Sequence, residues 1–249
     1  MIMSSIHPVS NDLDLILELQ KVRYGSSSEK SIRLKEFSAT INAGELVHIA
    51  LQKRQESRDL VSLLLGLNFP YEGTIRFMGN DWLGNAYLRH FEMRSRIGRV
   101  FTGTAWIQSL TVGENIRLPQ IHHRIPKATV RNNVKKWATR LSGSYLDEVL
   151  LAFLQRPAYV DEPILQLCQW IRAIALEPQL LILERPTMSV FDALIPGLVS
   201  TIGDIRSKGT AVLWFSSGDE DRDLPIDGPI QRWSTRDGFL KSDEETRKV

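Results

Sequence analysis

The chain has 249 residues and a mass of 28.4 kDa, which is the size of one large domain. Hydrophobic residues make up 43% and charged residues 24%, a mixture that excludes long disordered or fibrous segments. Thirty-one Lys and Arg against 29 Asp and Glu leave a net charge of +2, so binding driven mainly by phosphate-backbone charge is excluded and no nucleic-acid partner is expected.

The sequence carries few features that indicate membrane targeting or disulfide formation. No stretch approaches the roughly 20 apolar residues that span a bilayer, and Met1 to Leu13 lacks the apolar core of a signal peptide. Cys168 is the single cysteine, which excludes an intrachain disulfide framework and a cysteine-based zinc site. We expect a cytoplasmic protein without a metal centre.

The first part of the chain reads mainly as strands. Leu15 to Tyr24 and Ile32 to Ile41 partly alternate between apolar and polar residues, as strands with one buried face do. Glu45 to Leu51 is typical of a strand entering the core. Leu60 to Leu67 has the composition of a helix, and Thr74 to Met78 predicts another short strand.

The middle of the chain is predicted to be helical. Val130, Val134, Trp137 and Leu141 stand at i, i+4, i+7 and i+11, the spacing of one apolar helix face. Farther on, residues 180–183 and 211–215 are short continuous apolar runs, typical of parallel strands buried on both faces. Helical sequence at 193–208 lies between them and predicts a βαβ unit. Two weak strands follow around Asp237.

Four segments resemble the ATP-binding cassette, the nucleotide-binding subunit of ABC transporters. They are Ile32 to Val47, Leu63 to Gly79, Leu110 to Ile116 and Arg172 to Leu183, in the order and spacing of that family. The resemblance covers Leu15 to Lys241. Around Phe101 to Ile116 and Arg172 to Pro178 it is nearest to ATPase subunits of lipid-trafficking (Mla or toluene-tolerance type) transporters.

The resemblance implies an α/β fold of the ABC-type P-loop NTPase class, with a RecA-like core, an antiparallel β subdomain and a helical subdomain. We expect one domain over 13–245, in which 13–84 and 166–245 form the core with the β subdomain and 85–165 form the helical subdomain. ATP and Mg²⁺ are the implied ligands. The implied partners are a membrane permease, another ABC ATPase subunit or a second copy in a dimer, with a location in the cytoplasm or at the inner face of the membrane.

The phosphate loop lacks the residues that its chemistry requires. Such a loop needs glycines whose backbone N–H groups curl around phosphate, a Lys on the phosphates and a Ser or Thr on Mg²⁺. Aligned without gaps, Ser57 takes the Lys position, Arg58 and Asp59 take the hydroxyl positions, and no glycine remains. Lys53, Arg54 and Arg58 are replacement cations, but we expect this loop to be a solvated or partner-facing remnant.

The other family motifs are altered as well. Thr102 replaces the glutamine that should follow Phe101, and its side chain is too short to reach the same metal and water. The signature that should hold the partner subunit's phosphate is replaced by Val160, Asp161, Glu162 and Pro163. The two carboxylates would repel phosphate and Pro163 lacks an N–H, although all three suit the start of a helix.

At the end of the strand that resembles the Walker B motif, Glu184 keeps a carboxylate. The resemblance implies that this carboxylate reaches Mg²⁺, directly or through water. Arg185 stands where the general base should be, and a guanidinium accepts no proton at neutral pH. Ser217 replaces the switch histidine. Tyr24 matches the aromatic residue that stacks on adenine, but an aromatic residue at a strand end equally suits packing.

Three functions remain open. The first is a non-hydrolysing structural or regulatory subunit of a membrane transport complex, such as a lipid transporter, because both halves of the composite ATP site are altered. The second is a weakly hydrolysing ATPase that uses Tyr24, Lys53, Arg54 and Glu184 unconventionally. The third is a stand-alone interaction protein built on the cassette fold.

Overall fold

The computed structural model describes residues 15–25, 28–84, 87–103, 105–218, 221 and 225–242. The strands are β1 (Leu15–Tyr24), β2 (Leu34–Asn42), β3 (Leu46–Leu51), β4 (Glu72–Phe77), β5 (Asn80–Asp81), β6 (Ile97–Val100), β7 (Leu180–Glu184), β8 (Ala211–Ser217), β9 (Ile230–Arg236) and β10 (Phe239–Ser242). The α-helices are α1 (Arg58–Leu64), α2 (Tyr87–Ser95), α3 (Val112–His122), α4 (Lys127–Ser142), α5 (Leu146–Ala152), α6 (Glu162–Ile174) and α7 (Ile195–Arg206).

The strands form two sheets. An antiparallel sheet has the order β2-β1-β4-β5, and a six-stranded sheet has the order β10-β9-β3-β8-β7-β6. In the second sheet β9, β3, β8, β7 and β6 are parallel, and β10 pairs antiparallel with β9 through the turn at Asp237. The predicted βαβ unit is confirmed as β7, α7 and β8.

Strand β7 shows how the sheet separates two apolar layers. All five of its residues are buried, and successive side chains point to opposite faces. Leu180 and Ile182 pack with the antiparallel sheet, whereas Leu181 and Leu183 pack with the helices, including α4 and α6. Because both faces are covered, the strand contains only one charged residue, Glu184 at its carboxyl end.

Helix α4 confirms the predicted apolar face. Val130, Val134, Trp137 and Leu141 are all buried, and they pack in the helical layer against α3, α5 and α6. The range 85–165 that was expected to be helical also contains β6, which pairs with β7 in the six-stranded sheet. No helix in the described part of the chain is long and apolar enough to cross a membrane.

Candidate functional site

Three backbone N–H groups of the loop between β3 and α1 donate to other protein atoms. The N–H of Gln52 donates to Thr235 Oγ1 at 2.8 Å and to Gln55 Oε1 at 3.1 Å. The N–H groups of Gln55 and Glu56 donate to the carbonyls of Gln52 and Lys30 at 3.1 and 3.0 Å. Arg54 has φ of 74°, so a left-handed turn is kept here without a glycine. These three N–H groups are therefore engaged by protein atoms.

The centre of the site is a hydrogen bond between the phosphate loop and strand β7. Ser57 stands at the N-cap position of α1 and is buried, but its side chain makes no capping hydrogen bond. Its hydroxyl donates instead to Glu184 Oε2 at 2.5 Å. Glu184 ends β7 and is only 3% exposed. The two residues that the resemblance aligned with the phosphate-binding Lys and with the metal-binding carboxylate thus contact each other.

Arg99 completes this network, and sequence analysis did not identify it. Its Nε donates to the second carboxylate oxygen of Glu184, Oε1, at 2.6 Å. The pair is well shielded, since the side chains are 17% and 4% exposed. One signal was present in the sequence: Arg99 is the only charged residue of β6, whose other residues are Ile97, Gly98 and Val100. A charge within a strand of this kind requires a partner nearby.

The remaining residues of this edge line a cleft of about 820 Å³. Thr102 lies in it, and its hydroxyl donates to the backbone carbonyl of Glu184 at 3.2 Å. Arg58 and Arg185 also line the cleft, and Arg185 has φ of 46° and donates its backbone N–H to the Phe215 carbonyl at 2.8 Å. Ser217 ends β8 beside Leu51, at the same edge of the sheet.

Other predicted positions lie outside this cleft. Lys53 lines a separate cavity of about 750 Å³ with Arg33 and Asp237. Val160, Asp161, Glu162 and Pro163 lie at the start of α6, where Asp161 is the N-cap and Pro163 is in the first turn. Glu162 accepts a hydrogen bond from Ser189 Oγ at 2.8 Å. The expectation that these residues suit a helix start is confirmed.

Tyr24 is part of the core rather than an open platform. It is 9% exposed and packs in the apolar layer beneath the antiparallel sheet. Its hydroxyl accepts a hydrogen bond from Asn68 Nδ2 at 3.0 Å, and its ring stacks on Tyr71 at a centroid distance of 6.1 Å. Burial raises the pKa of the Tyr24 phenol. These contacts favour the packing role of Tyr24.

No cluster of three or more His, Cys, Asp or Glu side chains suited to a metal ion is found within the described ranges. The neighbouring His122 and His123 rings pack on Phe91, at centroid distances of 4.8 and 4.4 Å. Burial lowers the pKa of His123, followed by the effect of His122. This pair is therefore part of an aromatic contact between α2 and the end of α3.

Comparisons with known proteins show what the chain is similar to. No protein-family model matches the chain. It is 29% identical over 181 residues to the methionine import ATP-binding protein MetN 2 of Enterococcus faecalis, covering 66% of this chain and 50% of that protein. It is 25% identical over 236 residues to the pyoverdine export ATP-binding/permease protein PvdT of Pseudomonas aeruginosa, covering 92% of this chain and 34% of that protein. The chain thus spans half or less of the length of these curated relatives.

Solved structures show the same fold. An ATP-binding subunit of an ABC transporter superimposes with a TM-score of 0.76 at 16% identity, covering 94% of this chain and 92% of that chain. The cbiO1 protein of Clostridium perfringens, part of the ABC transporter complex cbiONQ, gives a TM-score of 0.69 at 16% identity, with 94% and 91% covered. The chain therefore has the fold of ABC ATPase domains, and the curated proteins that it resembles are ATP-binding subunits of ABC transporters.

Proposed function

We propose that this chain is a non-hydrolysing ATP-binding-cassette subunit with a structural or regulatory role in a membrane transport complex. The observation that carries the proposal is the buried hydrogen bond between Ser57 and Glu184. It joins the two positions that, by resemblance, should bind phosphate and Mg²⁺.

The residues of the site do not fit a bound Mg²⁺ nucleotide. Glu184 already accepts from Ser57 and Arg99, and the backbone N–H groups of Gln52, Gln55 and Glu56 are engaged by protein atoms. A phosphate nest requires such N–H groups to point at the ligand. Arg185 supplies no proton acceptor at the position of the general base. The chemistry of hydrolysis is therefore missing at three separate places.

A direct assay tests the proposal. The purified full chain, incubated with ATP and Mg²⁺, should release phosphate at the rate of the buffer blank, and Glu184→Ala should not change that rate. Turnover above the blank that Glu184→Ala abolishes would overturn the proposal. A rise in the melting temperature with ATP alone, without turnover, would identify a nucleotide-binding but silent subunit.

A partner surface is available on the helical layer. Leu150, Leu151, Leu154 and Tyr159 are exposed on α5 and the segment after it. The backbone N–H groups of Val112 and Gly113 donate to the Gln155 and Phe153 carbonyls, so this segment lies beside the start of α3. Exposed large apolar side chains in one short segment are typical of contact surfaces.

Copurification from cells identifies the partner. Capture of a membrane permease or a second cassette is expected, and Leu151→Asp with Leu154→Asp should abolish it without lowering the melting temperature. The resemblance to lipid-trafficking ATPase subunits makes a lipid transport system the first one to test. Capture of neither class, with the double variant behaving as the wild type, would favour a stand-alone interaction protein.

A further inference from the structure

Arg99 does more than neutralise Glu184, because its guanidinium also lies over an aromatic ring. The Arg99 Cζ is 4.2 Å from the centre of the Phe101 ring. A guanidinium can stack on a ring while its N–H groups donate in its own plane. The Arg99 guanidinium on β6 therefore contacts both Glu184, at the end of β7, and Phe101, in the segment that follows β6.

A second arginine, on α6, extends this arrangement. Arg172 on α6 lies with its Cζ 5.4 Å from the Phe101 ring and 4.6 Å from the Trp106 ring. Its Nη1 donates to the Ala105 carbonyl at 2.7 Å. We call Arg99, Phe101, Arg172 and Trp106 the arginine–aromatic stack.

Arg172 is strongly shielded from water. It is 8% exposed and forms no salt bridge with any residue in the described ranges. Burial lowers its pKa to about 10, so the group remains charged at neutral pH. The aromatic faces and the Ala105 carbonyl are therefore its main stabilising contacts.

Helix α6 and strand β7 hold the same segment by separate hydrogen bonds. Gln169 on α6 accepts from the Phe101 N–H at 3.1 Å and donates to the Gly103 carbonyl at 3.3 Å. Thr102 donates to the Glu184 carbonyl at 3.2 Å. The segment that follows β6 is thus held by hydrogen bonds to α6 and to β7.

We propose that Arg99 is a built-in substitute for a bound cation: it pairs with Glu184 and, through the arginine–aromatic stack, fixes residues 101–103 and 105–107 against α6 without nucleotide. Arg99 is a positioning residue in this role. This inference rests on the proposed function, in which the chain does not hydrolyse ATP. It adds that the Arg99 guanidinium takes the place of a bound cation. Its consequence is that the helical layer keeps one orientation relative to the sheet whether ATP is present or absent.

Hydrogen exchange read by mass spectrometry over residues 97–112 tests the proposal, with the melting temperature measured in parallel. Arg99→Leu should lower the melting temperature and speed exchange over 97–112 by about tenfold or more, because the stack opens locally. Arg89→Leu is the matched control, since Arg89 is an exposed partner of Glu92 on α2. This control should leave exchange over 97–112 unchanged.

A double variant separates positioning from stability. In Arg99→Leu with Glu184→Leu no buried charge is left unpaired, so the melting temperature should recover. Exchange over 97–112 should nevertheless stay fast, because the Arg99 guanidinium no longer lies over Phe101. Arg99→Lys, which keeps the charge but not the planar face, should give intermediate exchange and serves as well if Arg99→Leu does not fold.

Three outcomes would overturn the inference. They are unchanged exchange in Arg99→Leu, recovery of slow exchange in the double variant, and slowing of wild-type exchange by ATP with Mg²⁺. ATP hydrolysis by the wild type is a separate result, which would refute the proposed function while leaving the effect of Arg99 on exchange to be read from the variants.

Discussion

Ser57 and Glu184 are 127 residues apart in the sequence and share a 2.5 Å hydrogen bond in the interior of the fold. The parallel sheet makes this possible, because β3 and β7 flank β8 and all three end at the same edge. By the resemblance, these two positions were expected to bind a ligand between them. In this chain the two side chains form a hydrogen bond with each other, and Arg99 supplies the positive charge that pairs with Glu184.

Removing the Glu184 charge should therefore lower the stability of the folded protein rather than change a catalytic rate. We expect Glu184→Gln to lower the free energy of unfolding by about 3 kcal/mol, since Arg99 is left buried without a counter-charge. Urea denaturation measures this. The matched control is Glu92→Gln on α2, which breaks an exposed pair with Arg89 and should cost about 1 kcal/mol or less. Equal losses in the two variants would contradict the role of the buried pair.

The framework of the fold was predictable because burial restricts composition. Strands β7 and β8 are covered on both faces, so their sequences are short apolar runs, and α4 repeats its apolar residues at helical spacing because one face is buried. The lack of a glycine between Leu51 and Arg58 was also visible in the sequence. These features are local, and a local pattern is enough to identify them.

The pairing of Arg99 was not predictable from the sequence. Its partner lies 85 residues later, and only the strand order β7-β6 brings the two side chains together. The role of Tyr24 was left open for a similar reason, because an aromatic residue at a strand end looks the same whether it stacks on a ligand or on Tyr71. Contacts between distant segments decide both cases.

The contact between β6 and α6 leaves no room for a side chain at Gly98. A Cβ there would lie 2.5 Å from the Ala173 carbonyl oxygen, a backbone atom that cannot move alone. We expect Gly98→Ala to lower the free energy of unfolding by about 2 kcal/mol. Gly203→Ala on α7 is the control, since a Cβ there meets nothing within 4 Å, and it should raise stability by about 0.5 to 1 kcal/mol. A neutral Gly98→Ala would mean that β6 and α6 are not packed this closely.

Tyr24 should behave as a core residue. We expect Tyr24→Ala to cost about 3 kcal/mol of unfolding free energy, as truncation of a buried aromatic ring does. Denaturation by urea, with and without ATP, checks both roles. Tyr159→Ala, at a residue that is 77% exposed, should change stability by about 0.5 kcal/mol or less. If ATP stabilises the wild type but not Tyr24→Ala, then adenine stacking is the role of Tyr24 instead.

The start of α3 should make stability depend on acid. Glu114 Oε2 accepts from the Thr111 N–H at 2.7 Å and from the Thr111 hydroxyl at 2.9 Å, while the Glu114 N–H donates to Thr111 Oγ1. The backbone hydrogen bond, followed by the hydroxyl, lowers the pKa of Glu114 below its ordinary value of 4.5. A carboxylate whose pKa is lower in the folded state stabilises the fold above its unfolded pKa, and this contribution is lost as the pH falls through the folded pKa.

We therefore expect the wild type to melt at a higher temperature than Glu114→Gln at about pH 7, with a difference that shrinks as the pH falls below 4.5 and through the lowered pKa of Glu114 in the folded state. Gln keeps the capping geometry, so the variant removes mainly the charge. Thr111→Ala is the companion variant: it removes one donor to Glu114, so replacing Glu114 by Gln in that background should cause a smaller and less pH-dependent change. Melting curves recorded across this range test the expectation, and a difference that does not vary with pH would show that the Glu114 carboxylate is not preferentially ionised in the folded state.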